Sequence, residues 1–145
     1  MGQFLVLPSR RIIPSQDFLK EDTVGHILRC YFNNMESKLP PSPFVRRYGK
    51  DYIAIDGHNL LAINQLMGKE TMVYVANSSD DGLVDATNNN PGLIQRNLDL
   101  ANKFDTVLFD VKRLDKEGIR SFTDLLAKYD FLRNIESAKK YYKIE

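Results

Sequence analysis

The chain of 145 residues is poor in the nitrogen and sulfur ligands of zinc, with one cysteine and two histidines, and it has no tryptophan. A lone cysteine, Cys30, cannot form an internal disulfide, so the sequence predicts a reducing compartment and a cytoplasmic location. A structural zinc site needs about four ligands, so no metal bound by the chain alone is expected. No apolar run approaches the roughly 20 residues that span a bilayer, so no membrane partner is expected.

An excess of charge of one sign is also lacking. The chain has twenty Lys and Arg residues and nineteen Asp and Glu residues, which gives a formal net charge of +1. Proteins that bind nucleic acids mainly through phosphate charge are usually far more basic, so weak binding to duplex DNA is expected. Three basic clusters are candidate surfaces, although such clusters are more often simply solvated. They are Arg10–Arg11, Arg46–Arg47 with Lys50, and Lys139–Lys140 with Lys143.

The first half of the chain has a clear pattern of strands and helices. The apolar start ends at Pro8, which is typical of a first strand and not of a signal peptide. Alternating and helical spacings of apolar residues define the other elements. The pattern predicts strands at residues 3–7, 44–48, 52–55 and 71–76 and helices at 22–33 and 57–67. The two middle strands flank Gly49–Lys50, which suits a tight hairpin, and Gly68 suits a left-handed helix cap.

The second half begins with a polar, turn-rich stretch at residues 77–91, which we expect to be an exposed and mobile loop. The pattern beyond it predicts a helix at 92–103, a strand at 106–111, a helix at 116–129 and a helical tail, so that region 112–145 is mostly helical. The whole predicts one α+β (mixed α/β) domain over residues 1–145. Its sheet should be mixed, partly antiparallel and flanked by helices.

The turn Asp56-Gly57-His58-Asn59, between a predicted strand and a predicted helix, is the candidate binding site. Gly57 leaves room for a ligand beside the backbone. The first amides of a helix have no intrahelical partner, and its dipole favours phosphate or carboxylate groups there. His58 could act as a proton shuttle or phosphate donor near neutral pH, and Asp56 as a base or metal ligand. The alternative is that Asp56 only caps the helix and His58 is merely exposed.

Three landmarks in fixed order resemble the ParB/sulfiredoxin superfamily over residues 5–76. They are Ile12-Ile13-Pro14-Ser15-Gln16-Asp17-Phe18-Leu19, Leu39-Pro40-Pro41-Ser42-Pro43-Phe44-Val45 and the box Asp56-Gly57-His58-x-x-x-Ala62. The superfamily includes chromosome-partitioning proteins that bind CTP and DNA, sulfiredoxins that use ATP, and small-molecule serine kinases. The resemblance implies a small ParB-like domain whose box binds a nucleotide or phosphate. The cofactor class that it implies is a nucleoside triphosphate with Mg²⁺.

Two positions of the box depart from the superfamily pattern. Asn59 stands where a second His is common, and Leu60 stands where a phosphate-binding Arg is expected. Without the planar donor set of that Arg, the resemblance implies binding with reduced or absent catalysis, and no residue is assigned a catalytic role. Leu60, Ile63 and Met67 form an apolar stripe at helical spacing. Leu60 therefore marks either a pocket that has lost its arginine or a residue of the core.

Other residues could complete or replace the site. Asp17 and Glu21 lie where kinase-like relatives keep a carboxylate, and Arg10, Arg46 and Arg47 are the cations best placed to replace the missing Arg, if any residue does. Arg46 and Arg47 face opposite sides of a strand, so at most one of them can reach a given site.

Cys30 and His26 are expected to have structural roles. The box has no cysteine, which excludes the sulfiredoxin subgroup, and Cys30 is expected to be a buried structural thiol. His26 is most simply a surface residue of the first helix.

Two other functions stay open. The first is a nucleic-acid-binding accessory module in DNA partitioning or regulation, which would require a continuous basic face. The second is a small phosphotransferase or nuclease of the same fold, which would require a carboxylate that converges on Asp56–Asn59.

Overall fold

A mixed five-stranded sheet organises the chain. The computed structural model describes residues 2–81 and 91–145, and for residues 91–99 it describes the backbone alone. The elements are β1 Gln3–Pro8, β2 Ile12–Ile13, α1 Glu21–Phe32, β3 Phe44–Tyr48, β4 Asp51–Ala54, α2 His58–Met67, β5 Glu70–Ala76, α3 Pro91–Lys116, α4 Phe122–Leu126 and α5 Ile135–Tyr141. Short 3-10 turns lie at Ser9–Arg11, Glu36–Lys38 and Asp130–Leu132. This arrangement confirms the predicted α+β class.

The strands lie in the order β1-β5-β3-β4-β2. The pairs β1–β5 and β3–β4 are antiparallel, whereas β3–β5 and β2–β4 are parallel. Strands β3 and β4 form the predicted hairpin, in which Gly49 adopts a φ of +62°. The sheet is therefore mixed and partly antiparallel, as the sequence predicts.

Both faces of the sheet are covered by helices, and the alternation of β4 shows this directly. Tyr52 and Ala54 join the larger core cluster, which packs under α1, α2 and α4. Ile53 and Ile55 join a second cluster under α3. Successive side chains of a strand point to opposite faces, which explains this division of the four residues.

The connection from β4 into α2 depends on a glycine. Helix α2 begins at His58, as predicted, and Gly57 is its N-cap in the left-handed region, with a φ of +86°. A Cβ at Gly57 would lie 2.5 Å from the Cβ of Pro43, which is far inside van der Waals contact. At its other end α2 stops at Gly68, also left-handed, with its N–H bonded to the carbonyls of Asn64 and Gln65. Both ends of α2 therefore need glycine.

The strand predicted for residues 106–111 is wrong. These residues lie inside α3, which also replaces the separate helix predicted for 92–103. Phe104, Val107 and Val111 are buried at helical spacing, while Phe109 is 74% exposed. A short β-branched and aromatic run cannot be distinguished from a helix segment by its composition, and the three-to-four-residue period over the longer window decides the outcome.

The helix predicted for residues 116–129 is also shorter than expected. Helix α3 ends at Lys116, and Gly118 turns the chain with a φ of +84°. Helix α4 then starts after Ser121, whose Oγ accepts a hydrogen bond from the amide of Asp124 at 3.1 Å. Ser121 is thus the N-cap of α4, which the sequence pattern did not indicate.

The predicted loop at residues 77–91 falls largely outside the described residues, since 82–90 are not among them. Its first part closes a turn directly after β5. The buried Asp81 carboxylate accepts hydrogen bonds from the amides of Asn77 and Ser78, at 2.6 and 3.3 Å. None of the helices in the described ranges combines the length and apolar composition that crossing a membrane requires.

The helical assignment of residues 106–111 can be tested by a pair of substitutions. Val107→Ala should lower the free energy of unfolding by about 1–3 kcal/mol, because it opens a cavity under the sheet. Phe109→Ala should change it by less than about 0.5 kcal/mol, because Phe109 points outward. Urea denaturation of both variants measures the difference. Similar losses in the two would indicate the alternation of a strand.

Candidate functional site

A cleft of about 440 Å³ opens at the N-terminus of α2. Its walls come from the segment before α1, the proline-rich entry to β3, the predicted turn and helix α3. The residues that line it are Gln16, Phe18, Lys20, Thr23, Pro40, Pro41, Asp56, Gly57, His58, Asn59, Leu60 and Lys103. All four residues of the predicted turn therefore border one cavity.

Within the turn, the four residues are buried to different degrees. Asp56, Gly57 and Asn59 are half-buried, whereas His58 is only 2% exposed. The Asn59 Oδ1 accepts a hydrogen bond from the amide of Lys20 at 2.8 Å, which fastens the start of α1 to the start of α2. The exposed position that one interpretation of the sequence gave to His58 is wrong.

The hydrogen bonds of His58 define its tautomer. Its Nε2 accepts a hydrogen bond from the backbone N–H of Ser15 at 2.9 Å, while the Ser15 hydroxyl donates to the Ala54 carbonyl at 2.6 Å. A backbone amide can only donate, so Nε2 carries no proton and the neutral ring carries its proton on Nδ1.

The Nδ1–H of His58 belongs to a residue that lines the cleft. No described residue accepts a hydrogen bond from it. Among the described residues, Nε of Arg46 is the side-chain nitrogen or oxygen that is fully enclosed without a partner, so Nδ1 of His58 keeps some accessible surface. Because His58 lines the cleft, its open nitrogen presents a donor to whatever occupies that space.

The charge state of His58 follows from its burial. Desolvation lowers its pKa to about 3, an effect that the nearby Asp56 carboxylate opposes and Lys103 reinforces. The ring is consequently neutral at pH 7 and cannot shuttle protons near neutral pH, as one sequence hypothesis required. It remains a fixed hydrogen-bond donor.

The first turn of α2 adds backbone donors. The first bond that closes a turn of α2 runs from the amide of Leu61 to the carbonyl of Gly57 at 3.1 Å. The amides of His58, Asn59 and Leu60 precede it and have no partner within the helix. Partial positive charge at this end favours an anion in the cleft.

Two lysines supply the positive charge of the cleft. Lys20 lies at the start of α1, and Lys103 on α3 is close enough to His58 to affect its pKa. The three arginines expected to serve here do not line the cavity. Arg46 stacks on Phe104 at 4.2 Å and donates to its carbonyl.

The other two arginines, Arg47 and Arg10, do not line the cleft either. Arg47 donates to the Tyr52 hydroxyl at 3.1 Å. Arg10 belongs to the turn Ser9–Arg11 that precedes β2. None of the three arginines is therefore in a position to replace the missing one at this cleft.

The carboxylates expected from kinase-like relatives do not converge on the cleft. Asp17 forms an ion pair with Arg113 at 3.8 Å. The Glu21 side chain accepts a hydrogen bond from the Tyr141 hydroxyl. Asp56 is the acidic residue in the lining. Among the described residues, no group of three His, Cys, Asp or Glu could hold a metal ion by itself.

The remaining candidates have structural surroundings. Cys30 is fully buried, which confirms the prediction of a buried thiol. His26 is exposed on α1, where its Nε2 lies 2.9 Å from the Lys38 carbonyl oxygen. Leu60 is 6% exposed and belongs to the larger core cluster, so position 60 contributes to packing.

Sequence reasoning missed several residues of the cleft, among them Phe18, Lys20 and Lys103. Phe18 is 47% exposed and forms an apolar wall together with Pro40 and Pro41. Phe18 stood inside a landmark of the family resemblance and could have been found there. Lys103 lies 45 residues after His58 and joins the cleft only because α3 packs across the sheet.

Comparison of the chain with protein-family models, curated proteins and solved structures found no match. The function of the cleft is therefore argued from its geometry, and the superfamily resemblance of residues 5–76 stays an expectation.

The low pKa of His58 predicts a specific pH dependence of stability. Its folded pKa is about 3, against 6.5 when exposed, so between these values the unfolded chain binds more protons. Stability should fall as pH falls through this window, by up to about 1.4 kcal/mol per pH unit, and should not depend on His58 above it.

His58→Gln should weaken this dependence, because an amide oxygen can accept the Ser15 N–H but cannot titrate. His26→Gln is the matched control, since it removes the exposed histidine. Urea denaturation across the acidic range measures the effect. An unchanged profile in His58→Gln, or an imidazole NMR titration near 6.5 at His58, would contradict the prediction.

The burial of Leu60 predicts how an introduced arginine behaves. Leu60→Arg should lower the melting temperature by several degrees without strengthening phosphate binding, because the charge is forced into the core. Leu60→Met, which nearly conserves volume, should cost less than about 1.5 kcal/mol. Stronger phosphate binding at unchanged stability would show instead that position 60 still faces the ligand.

Proposed function

We propose that the cleft at Asp56–Asn59 binds a nucleotide in a ParB-like domain whose catalytic competence is reduced or absent. One observation carries the proposal: the Nδ1–H of His58, the first amides of α2 and two lysines converge on a single cleft. All of these groups are donors or cations, so an anionic group fits the cleft best.

Phosphate suits these donors for electrostatic reasons. Charge-assisted hydrogen bonds are shorter and about twice as strong as neutral ones. Lys20 and Lys103 act as compact point charges and do not impose the planar, bidentate geometry of the superfamily's arginine. The expected phosphate site is therefore less geometrically selective than the arginine box.

The apolar wall favours a nucleotide over inorganic phosphate. Phe18 offers an exposed aromatic face beside Pro40 and Pro41. Stacking of a base on an aromatic side chain contributes about 1–3 kcal/mol. The volume of about 440 Å³ lies in the ordinary range of small-molecule sites.

Asp56 fits a nucleotide that carries Mg²⁺. Protein sites commonly bind this ion through one or two carboxylates together with substrate phosphates. Asp56 would supply one such carboxylate, and the ion would arrive with the nucleotide. A general-base role is not part of the proposal, since Asp17 and Glu21 are bonded elsewhere.

A thermal-shift screen of nucleoside triphosphates, with and without Mg²⁺, tests the proposal. A ligand at a hundred times its dissociation constant should stabilise the fold by about 2.7 kcal/mol. Calorimetry then compares the variants. Lys103→Gln should weaken nucleotide binding about three- to tenfold, whereas Lys112→Gln, an exposed lysine of the same helix, should not change it.

Phe18→Ala separates the two parts of the ligand. It should weaken nucleotide binding about five- to a hundredfold, which corresponds to one lost stacking contact, and should leave inorganic phosphate binding unchanged. If no nucleotide or phosphate shifts the melting temperature at millimolar concentration, the proposal is wrong.

A further inference from the structure

Strand β1 forms one edge of the sheet and carries no charge. The strand order gives it a single neighbour, β5, and among the described residues no other strand pairs with it. All of its residues, Gln3–Pro8, are uncharged. Edge strands of monomeric proteins are usually protected by charged side chains, by bulges or by a covering element. The composition of β1 is therefore typical of an edge that pairs with another strand.

The strand register shows which backbone groups of β1 are open. The amide of Tyr74 donates to the Pro43 carbonyl at 2.8 Å, so the backbone groups of Tyr74 point toward β3. Phe4 lies opposite Tyr74, and this antiparallel pair therefore exchanges no hydrogen bond. The N–H and C=O groups of Phe4, and by alternation those of Val6, consequently point away from β5 to the outside of the sheet.

The same two residues carry exposed apolar side chains. Phe4 is 60% exposed and Val6 is 57% exposed, and Met72, which pairs with Val6, is 55% exposed. Side chains that lie opposite each other share a face, so these three form one apolar patch, which the edge contact between the Phe4 and Tyr74 rings extends at 5.2 Å. None of these residues lines the cleft at α2, so the patch is a separate surface.

The edge of β1 is complementary to a second copy of itself. In an antiparallel pair with its two-fold axis at Leu5, Phe4 of each copy lies opposite Val6 of the other. Both residues have outward backbone groups, so each such pair exchanges two hydrogen bonds. An axis at Val6 would instead place Phe4 opposite Pro8, which has no N–H to donate.

The side chains favour the same pairing. Phe4 would lie against Val6 of the second copy, and cross-strand pairs of an aromatic and a β-branched residue are stabilising. A two-fold interface uses the same patch on both copies, which is the commonest arrangement of soluble oligomers. We propose that the chain forms a two-fold dimer in which two β1 strands pair antiparallel around Leu5 and join the two sheets into one.

The size of the patch sets the expected strength of the dimer. With more than half of Phe4, Val6 and Met72 exposed, each copy would bury on the order of 500 Å², below the roughly 800 Å² per partner of a standard stable interface. The dimer should therefore be reversible, with a dissociation constant in the micromolar range. The opposite edge, β2, has only two residues, so assembly should stop at the dimer.

Sedimentation velocity at concentrations from about 1 to 500 µM tests the proposal. The unaltered chain should change from monomer to dimer as the concentration rises. Val6→Lys should raise the dissociation constant at least about tenfold, because pairing would bury a charge against Phe4. Phe109→Lys introduces the same charge at an exposed apolar residue of α3 and should leave dimerisation unchanged.

A proline variant tests the backbone pairing itself. Val6→Pro removes an N–H that β5 does not use, so the monomer should keep its fold while the dimer weakens at least about tenfold. Melting curves of dilute samples check the folding of each variant. The proposal is overturned if the unaltered chain stays monomeric at the highest concentration or assembles beyond the dimer. It is equally overturned if a folded Val6 variant dimerises as well as the unaltered chain, or if Phe109→Lys weakens the dimer as much as Val6→Lys.

Discussion

The hydrogen bond from the Ser15 amide to Nε2 of His58 is the interaction on which the site depends. It joins the segment after β2 to the start of α2, two parts of the chain 43 residues apart. It also selects the tautomer, because a donor at Nε2 leaves the ring proton on Nδ1. The same contact helps to bury the ring, and burial keeps it neutral. One backbone amide thus links His58 to the segment after β2 and determines which of its nitrogens donates.

Pro43 lies against Gly57, and this contact gives the glycine a different role from the one that the sequence predicted. The sequence suggested that the missing side chain made room for a ligand. Instead, Pro43 occupies that space, 2.5 Å from where a Cβ would stand. The positive φ of +86° makes any other residue strained there as well. Gly57 therefore serves the close packing of two chain segments, and the ligand space lies beyond it, toward Phe18 and Lys20.

The sequence was most informative where local rules decide the outcome. The alternation of Tyr52 to Ile55, the start of α2 after Gly57 and its end at Gly68 all follow from short-range pattern and steric rules. It failed at residues 106–111, where strand-like composition competed with a helical period that appears only over a longer window. The lysines of the cleft could not be assigned in advance, because Lys103 reaches His58 only through the packing of α3 on the sheet.

The burial of His58 and the burial of Leu60 have a common consequence for chemistry. A general acid or base is most effective when its pKa lies near the working pH, and desolvation moves His58 far from that range. Leu60 packs in the core, and the cations of the cleft are Lys20, directly before α1, and Lys103 on α3. The protonation of His58 does not change between about pH 5 and 8, so the imidazole contribution to binding is constant over that range. The features that make His58 a dependable donor are the ones that remove it from acid–base catalysis.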